Sequence, residues 1–473
     1  MKLINKLYIN GQWQTPSTNI SIEVINPATE EALVCVSLAS CQDVESAILA
    51  ARKAFPSWST TSPAARAKLM NAVADEMQVR YDDLVDAHVT SIGCPISIAG
   101  DFHVNLPIEA MRYYAELAIT MEDVEEKGSV LITKEAVGVC AFINPWNYPL
   151  HQLIGKLAPA LAVGCTVVTK PAEQTPIADF IMAEIFHKVG VPAGVFNLVF
   201  GKGNELGPIL SSHPEVDLIS FTGSTRAGIE VAKAAAPTVK RVCQELGGKS
   251  AYIITEDADI NAAVRYGIED VMANTGQTCN ALTRMLVPAN QYQKVIEQAV
   301  LVGNEQVVGD PLHKDSTMGP MASFSQKESV LRLIEQGIAE GAELVLGGTD
   351  MPEGLTKGFY VKPTIFASVT PEMSIAREEI FGPVLCIIAY DDIEQAIEIA
   401  NDSKYGLSSG VYAKDKASAL KIAKRIKAGQ CYIQGSYFNI DAPFGGYKQS
   451  GNGREWGSQG MEEYIETKAI ICE

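Results

Sequence analysis

Apolar and polar positions alternate where the chain begins. Leu7-Tyr8-Ile9-Asn10-Gly11-Gln12-Trp13 sets an Asn-Gly pair between two short runs, a pattern that predicts a small β-ribbon. Two stretches with apolar residues at helical spacing follow. Residues 43–54 open on Asp43, an acidic N-cap candidate, and residues 63–79 carry Pro63 in the first turn, where its missing N–H costs nothing. From Gly138 the texture changes. Short apolar runs at 137–143, 166–169, 195–200, 218–221 and 251–254 alternate with helical patterns, the βαβ rhythm of a parallel sheet. A second such region spans about 282–444, with strands expected at 344–346, 384–390 and 409–412 and a helix at 393–401. The pattern therefore predicts two α/β domains. Between Thr120 and Glu135 an acidic, glycine-containing segment breaks the rhythm and reads as a linker or an excursion toward another contact.

Composition narrows the class without naming a function. At about 150 residues per domain, 473 residues allow roughly three. Hydrophobic residues at 47% and charged residues at 20% are those of an ordinary globular protein, which excludes collagen, coiled coil and wholesale disorder. A net charge of −18 repels phosphate backbones and anionic lipid, so neither nucleic acid nor membrane is an expected partner. Ten cysteines without a C-x-x-C spacing fit neither a disulfide framework nor a zinc site, and no metal is expected. The first residues lack an apolar signal region, and the longest apolar stretch, 157–168, is too short to span a bilayer. A cytoplasmic location is the expectation.

Several motifs carry chemistry. Cys279 lies in Asn274-Thr275-Gly276-Gln277-Thr278-Cys279-Asn280, with Glu245 upstream in Gln244-Glu245-Leu246-Gly247-Gly248-Lys249. A thiol and a carboxylate, each among glycines and small polar residues, suit covalent catalysis with its own base; a free cysteine is otherwise most often a small buried hydrophobe. Phe221-Thr222-Gly223-Ser224-Thr225-Arg226-Ala227-Gly228 follows a strand and leads into a helix, a setting for pyrophosphate or a plain turn. Gly201-Lys202-Gly203 with Gly207 spaces its third glycine one residue too far for a dinucleotide fingerprint. Lys170 and Glu173 end another strand, where open parallel sheets bind ligands and where a Lys–Glu pair reaches a ribose or is merely solvated.

Seven blocks then fall in one order: Phe142-Ile143-Asn144-Pro145-Trp146-Asn147-Tyr148-Pro149-Leu150, Lys170-Pro171-Ala172-Glu173, Phe221-Thr222-Gly223-Ser224, Glu245-Leu246-Gly247-Gly248-Lys249, Gly276-Gln277-Thr278-Cys279, Glu378-Glu379-Ile380-Phe381-Gly382-Pro383, and Pro443-Phe444-Gly445-Gly446-Tyr447-Lys448-Gln449-Ser450-Gly451. In this the chain resembles the NAD(P)-dependent aldehyde dehydrogenases from about residue 7 onward. Asn280-Ala281-Leu282-Thr283-Arg284 and Gly451-Asn452-Gly453-Arg454-Glu455-Trp456-Gly457 are similar to a bacterial branch of unsettled substrate.

The resemblance implies an α/β fold with a Rossmann-like cofactor domain at 1–118 and 137–246 and a catalytic domain at 247–448. A small β arm at 119–136, with the tail at 449–473, would make a homodimer or homotetramer. It implies oxidation of an aldehyde to the acid through a cysteine thioester. Cys279 would be the nucleophile, Asn147 the oxyanion donor and Glu245 the base for hydrolysis, with Lys156 and Glu455 moving protons or forming a structural ion pair. For the cofactor it implies Trp146, Lys170, Glu173, Gly203, Gly223, Ser224, Leu246, Glu379 and Phe381. Because Glu173 would repel a 2′-phosphate, NAD is expected over NADP. Tyr148, His151, Phe438 and Phe444, with Gln152, Asn280 and Tyr437, would line the aldehyde funnel or be packing, and Asn144 and Asp441 depart from the family's usual small or apolar residues. Two alternatives stay open: release of the thioester to coenzyme A, which members with a Glu at the place of Glu245 generally do not perform, and a non-catalytic NAD-binding protein on the same fold.

Overall fold

The opening alternation folds as an Asn-Gly turn dictates. In the computed structural model, which describes residues 2–121 and 123–473, Leu7–Ile9 pairs antiparallel with Gln12–Gln14. Asn10 and Gly11 take φ of 54° and 71°, the two left-handed positions of a type I′ hairpin. The first helix is longer than its pattern, Cys41–Ser59, and Asp43 is not its N-cap. Ser40 is. Its hydroxyl accepts from the Asp43 N–H at 3.1 Å, while the Asp43 carboxylate accepts from the Ser40 N–H at 2.8 Å. A serine followed three residues later by an acid satisfies two orphan donors at once, and this reciprocal box outcompetes the lone acidic cap. Pro63–Val79 is helical as expected, capped by Ser62.

Eight strands form the first sheet, in the order Gly451–Asn452, Arg241–Glu245, Leu218–Thr222, Val139–Ile143, Thr166–Lys170, Phe196–Leu198, Leu7–Ile9, Gln12–Gln14. The five from Arg241–Glu245 to Phe196–Leu198 are parallel, and antiparallel strands close both edges. Strands Leu218–Thr222, Val139–Ile143 and Thr166–Lys170 are buried at every position, which is why they read as unbroken apolar runs instead of alternating ones. The apolar stretch 157–168 is two elements: the end of helix Pro149–Val163, then Gly164 at φ 109°, then Thr166–Lys170.

A second sheet of seven strands runs Glu343–Leu346, Thr364–Ala367, Val384–Tyr390, Arg284–Pro288, Ala251–Ile254, Ser409–Tyr412, Tyr432–Ile433, all parallel except the first pair. The segment that broke the rhythm is a hairpin, Val124–Lys127 with Val130–Ala136, and Ile465–Ile471 pairs antiparallel with Val130–Ala136, which becomes the middle of three strands. The tail from 449 is thus divided: Gly451–Asn452 borders the first sheet, and only the last strand joins the hairpin. Helices Tyr81–Ile92 and Leu106–Thr120, joined through a π-helical turn at Ala99–Asn105, had no clear sequence signal. Among the described residues no helix is long and apolar enough to cross a membrane.

Ser40→Ala removes one half of the capping box; we expect a loss of about 1 kcal/mol in denaturant unfolding, as is typical for N-cap serines, and an unchanged midpoint would deny the cap its role.

Candidate active site

The sheet registers collect the motifs before any side chain is considered. At the carboxyl edge of the first sheet Thr222 stands opposite Glu245, Phe221 opposite Ile143, and Ile143 opposite Lys170. The segments that follow these positions carry Gly223 and Ser224, Asn144 to Asn147, and Glu173. Facing them are loops that enter the second sheet: Gly247 to Lys249 before Ala251–Ile254, Cys279 before Arg284–Pro288, and Glu379 to Phe381 before Val384–Tyr390. A cleft between carboxyl ends of one sheet and amino ends of the other therefore receives most of the motifs, with loops and no strand backbone to obstruct a ligand.

The Cys279 loop is held in an unusual conformation. Asn274, Thr275 and Gly276 have φ of 49°, 57° and 70°, three successive left-handed residues, one of them β-branched. Each is tied down. Thr275 Oγ1 donates to the Gly319 carbonyl at 3.1 Å, Asn274 Nδ2 donates to the Asn147 carbonyl at 3.0 Å, and Asn147 Nδ2 donates to the Gln277 carbonyl at 2.9 Å. The Gln277 side chain binds the Asn274 carbonyl and the Ala322 N–H. Asn147 is buried, and one of its two amide protons remains after the bond to Gln277. A Cβ on Gly248 would lie 2.5 Å from the Cys279 carbonyl oxygen, so glycine is needed there for close approach.

The site concentrates acids. Glu245, at the end of its strand, is buried with no hydrogen bond to Oε2. Burial lifts its carboxyl well above the ordinary range, and Glu455 adds to this against the pull of Lys156 and Arg454. Lys156, fully buried, meets Glu455 Oε1 at 2.8 Å and donates to the Gln152 carbonyl and side chain at 3.3 and 3.2 Å. Burial also pushes the Cys279 thiol far up, with the carboxylates of Glu245, Glu379 and Glu455 acting in the same direction. In the free protein at neutral pH the thiol holds its proton, and burial disfavours the charged form of Glu245.

On the side expected for a cofactor, Lys170 Nζ donates to the carbonyls of Pro171 and Gly201 at 2.7 and 2.9 Å and lies 3.6 Å from Glu173. Glu173 accepts from the Gly203 N–H, where helix Gly203–Ser212 begins. Ser224 caps helix Thr225–Ala235 through the Ala227 N–H, and Gly223 packs against the Phe221 ring, which leaves no space for a Cβ. Leu246 is buried and its N–H donates to the Ser450 carbonyl at 2.9 Å. Glu379 accepts from the Gly248 N–H at 2.9 Å, and burial lifts its carboxyl to about 7. Trp146 and Phe381 meet edge to face at 5.4 Å.

A cavity of about 640 Å³ opens beside Cys279, and Tyr148, His151, Gln152, Asn280, Tyr437, Phe438 and Phe444 all line it. His151 is packed among Trp456 at 4.4 Å, Phe438 at 5.3 Å and Tyr148 at 5.9 Å, and burial holds its imidazole down at about 3, so it is neutral. Tyr148 Oη hydrogen-bonds Thr278 Oγ1 at 2.9 Å, and its ring stacks on His103 at 4.6 Å. Asn144 is buried and donates to Thr169 Oγ1; Asp441 lies outside the cavity wall. The sequence reading missed Phe102, Tyr266, Asp270, Tyr432 and Trp456 in the wall. Trp456 had a signal, since it adjoins Glu455, and Gly155 on the facing helix is where its ring fits. Asp270 had none: it is one of two adjacent acids on an amphipathic helix.

Known proteins resemble the chain along nearly its whole length. A model described as the aldehyde dehydrogenase family matches residues 13–470. A 3-succinoylsemialdehyde-pyridine dehydrogenase of Pseudomonas sp is 48% identical across 100% of this chain and 99% of its own. Among solved structures, a mutant of aldehyde dehydrogenase C from Pseudomonas syringae complexed with NAD+ and octanal superposes with a TM-score of 0.98 at 48% identity, covering 99% of this chain and 96% of that one. A Mycobacterium tuberculosis aldehyde dehydrogenase complexed with NAD+ gives 0.97 at 40% identity, covering 100% and 99%. The chain belongs to the aldehyde dehydrogenase family, and its architecture is the aldehyde dehydrogenase fold.

Because the thiol is held up by burial and three carboxylates, its thiolate fraction grows only as pH rises. Site-resolved mass spectrometry of iodoacetamide labelling should show Cys279 alkylation in the free protein still accelerating above pH 9; a plateau near pH 7 would contradict the electrostatics described.

Proposed function

We propose that the protein oxidises an aldehyde to its carboxylic acid with NAD+ and water, with Cys279 as nucleophile and Glu245 as the base of the hydrolytic step. One observation carries this reading: a thiol, an asparagine amide and an unpaired buried carboxyl, from three separate motifs, gather at one cleft beside an aromatic cavity. Attack by the Cys279 sulfur on the aldehyde carbon, with the thiol proton released to solvent water, turns the carbonyl oxygen into an oxyanion. The free amide proton of Asn147 and the Cys279 N–H are its donors, already directed by the bonds to Gln277 and Asn274.

Oxidation of that adduct leaves a thioester on Cys279. A thioester carries no charge, whereas a thiolate beside Glu245 would oppose its ionisation. Glu245 therefore loses its proton more readily beside the thioester than beside a thiolate, and then accepts one from the attacking water. The Lys156–Glu455 pair, packed beside it, is the exit for that proton.

The donor set on the carboxyl edge fits a dinucleotide. Lys170 and Glu173 suit a ribose, the capped helix start at Ser224 with Gly223 suits a pyrophosphate, and Glu379 suits the second ribose between Leu246 and the Trp146–Phe381 pair. Bound there, NAD+ supplies the hydride acceptor. The Glu173 charge favours a ribose hydroxyl over a 2′-phosphate, in line with the NAD+ complexes of the relatives. We assign residues 1–118 with 137–246 to cofactor binding and 247–448 to catalysis. The hairpin at 124–136 and strand 465–471 form the surface for a homodimer or homotetramer, in a cytoplasmic enzyme.

Cys279→Ala should abolish NADH formation from any aldehyde. Glu245→Gln should give a burst of about one NADH per site and then stall, seen by stopped-flow absorbance; undiminished steady turnover would remove Glu245 from hydrolysis, and acyl-CoA formed in place of acid when CoA is present would reassign the acceptor. Asn147→Ala should lower kcat by about 10²–10³-fold, the loss of one oxyanion donor. NAD+ should exceed NADP+ in kcat/KM, with Glu173→Gln narrowing the gap; equal values in the wild type would refute that role.

A further inference from the structure

The cavity wall holds three acids, Glu269, Asp270 and Glu305. Two are matched: Arg265 meets Glu305 at 2.7 Å and Glu269 at 3.5 Å. Asp270 is not. Among the described residues no Lys, Arg or His nitrogen comes within 4.0 Å of it, and what it accepts is the Leu282 N–H, at 2.7 Å on Oδ2. Burial lifts its carboxyl to about 7, and no cation pulls it back.

Its surroundings are tyrosines. Tyr148, Tyr266 and Tyr432 all feel its charge, and Tyr148 and Tyr432 feel Cys279 as well, so the carboxylate and the sulfur share one chamber. The tyrosine hydroxyls are engaged elsewhere: Tyr148 with Thr278, Tyr266 with the Ser436 carbonyl at 2.8 Å, Tyr432 with Gln430 at 3.0 Å. They leave Asp270 uncompensated and offer the chamber their rings. A desolvated carboxylate without a counter-charge is costly, and aromatic faces attract cations.

We propose that the cavity selects aldehydes bearing a protonated or quaternary nitrogen, which Asp270 and the tyrosine rings hold while Cys279 takes the carbonyl. This rests on the aldehyde-oxidising reading above. The bond from Asp270 to Leu282 limits the spacing. Leu282 is the third residue after Cys279, at most about 10 Å along extended chain, so a linker of a few methylenes between carbonyl and nitrogen is the fitting size.

The test compares 4-(trimethylammonio)butanal with its neutral isostere 5,5-dimethylhexanal, by NADH formation in wild type and Asp270→Asn. Asparagine keeps an acceptor for Leu282 and removes the charge. We expect kcat/KM to favour the cation at least about tenfold in the wild type and the ratio to fall toward one in the variant. A wild-type ratio near one, or a ratio that Asp270→Asn leaves intact, overturns the inference. Should the variant misfold, tetramethylammonium serves in the wild type: it should compete with 5,5-dimethylhexanal where tert-butanol does not, and absence of competition overturns the inference equally. Turnover of both aldehydes without preference removes only the cation site. Absence of NADH from these and every other aldehyde tried removes the enzymatic reading beneath it.

Discussion

The site depends on backbone brought against backbone without side chains between. The Cys279 carbonyl presses on Gly248, and Gly276 presses on Gly382, where a Cβ would come within 2.2 Å of the peptide. Gly248 leads into the strand Ala251–Ile254 and Gly382 into Val384–Tyr390, while Asn147 ties the same loop to the first sheet. The loop is clamped from both sheets at once. Its left-handed residues persist because neighbours over-determine them, and that rigidity holds a donor and a nucleophile in fixed relation before any ligand arrives.

Electrostatics makes the same cleft a place where protons stay put. Glu245, Glu379 and Glu455 crowd one thiol, with the buried Lys156 against Glu455 and the buried Lys249 acting on Glu379. Each ionisation in such a cluster raises the cost of the next, so the order in which groups lose protons is set by which neighbour is neutral at that moment.

The parallel strands were legible because burial on both faces writes them as continuous apolar runs, and 384–390, 393–401 and 409–412 carry the bounds expected. The strands Arg241–Glu245, Arg284–Pro288 and Thr364–Ala367 were not among those expected, each offering an apolar run of only two or three residues after a polar start. Arg284 is buried yet spends its guanidinium on the carbonyls of Lys249, Ile399 and Ala400, a use no hydropathy pattern records. In the site, residues within glycine-rich motifs could be picked out, because close approach demands those glycines. Asp270 could not: its importance comes from what is missing around it, and sequence spacing does not report the absence of a partner.

The run of left-handed residues at Asn274, Thr275 and Gly276 also makes the nucleophile depend on distant parts of the chain. A β-branched residue does not hold that conformation by local preference, so the loop can settle only after Gly319, Ala322 and Gly382 have reached it from later in the chain. The nucleophile therefore owes its conformation to contacts that reach it across 44 or more residues of chain, and a change at Gly319, Ala322 or Gly382 acts on the thiol without touching it.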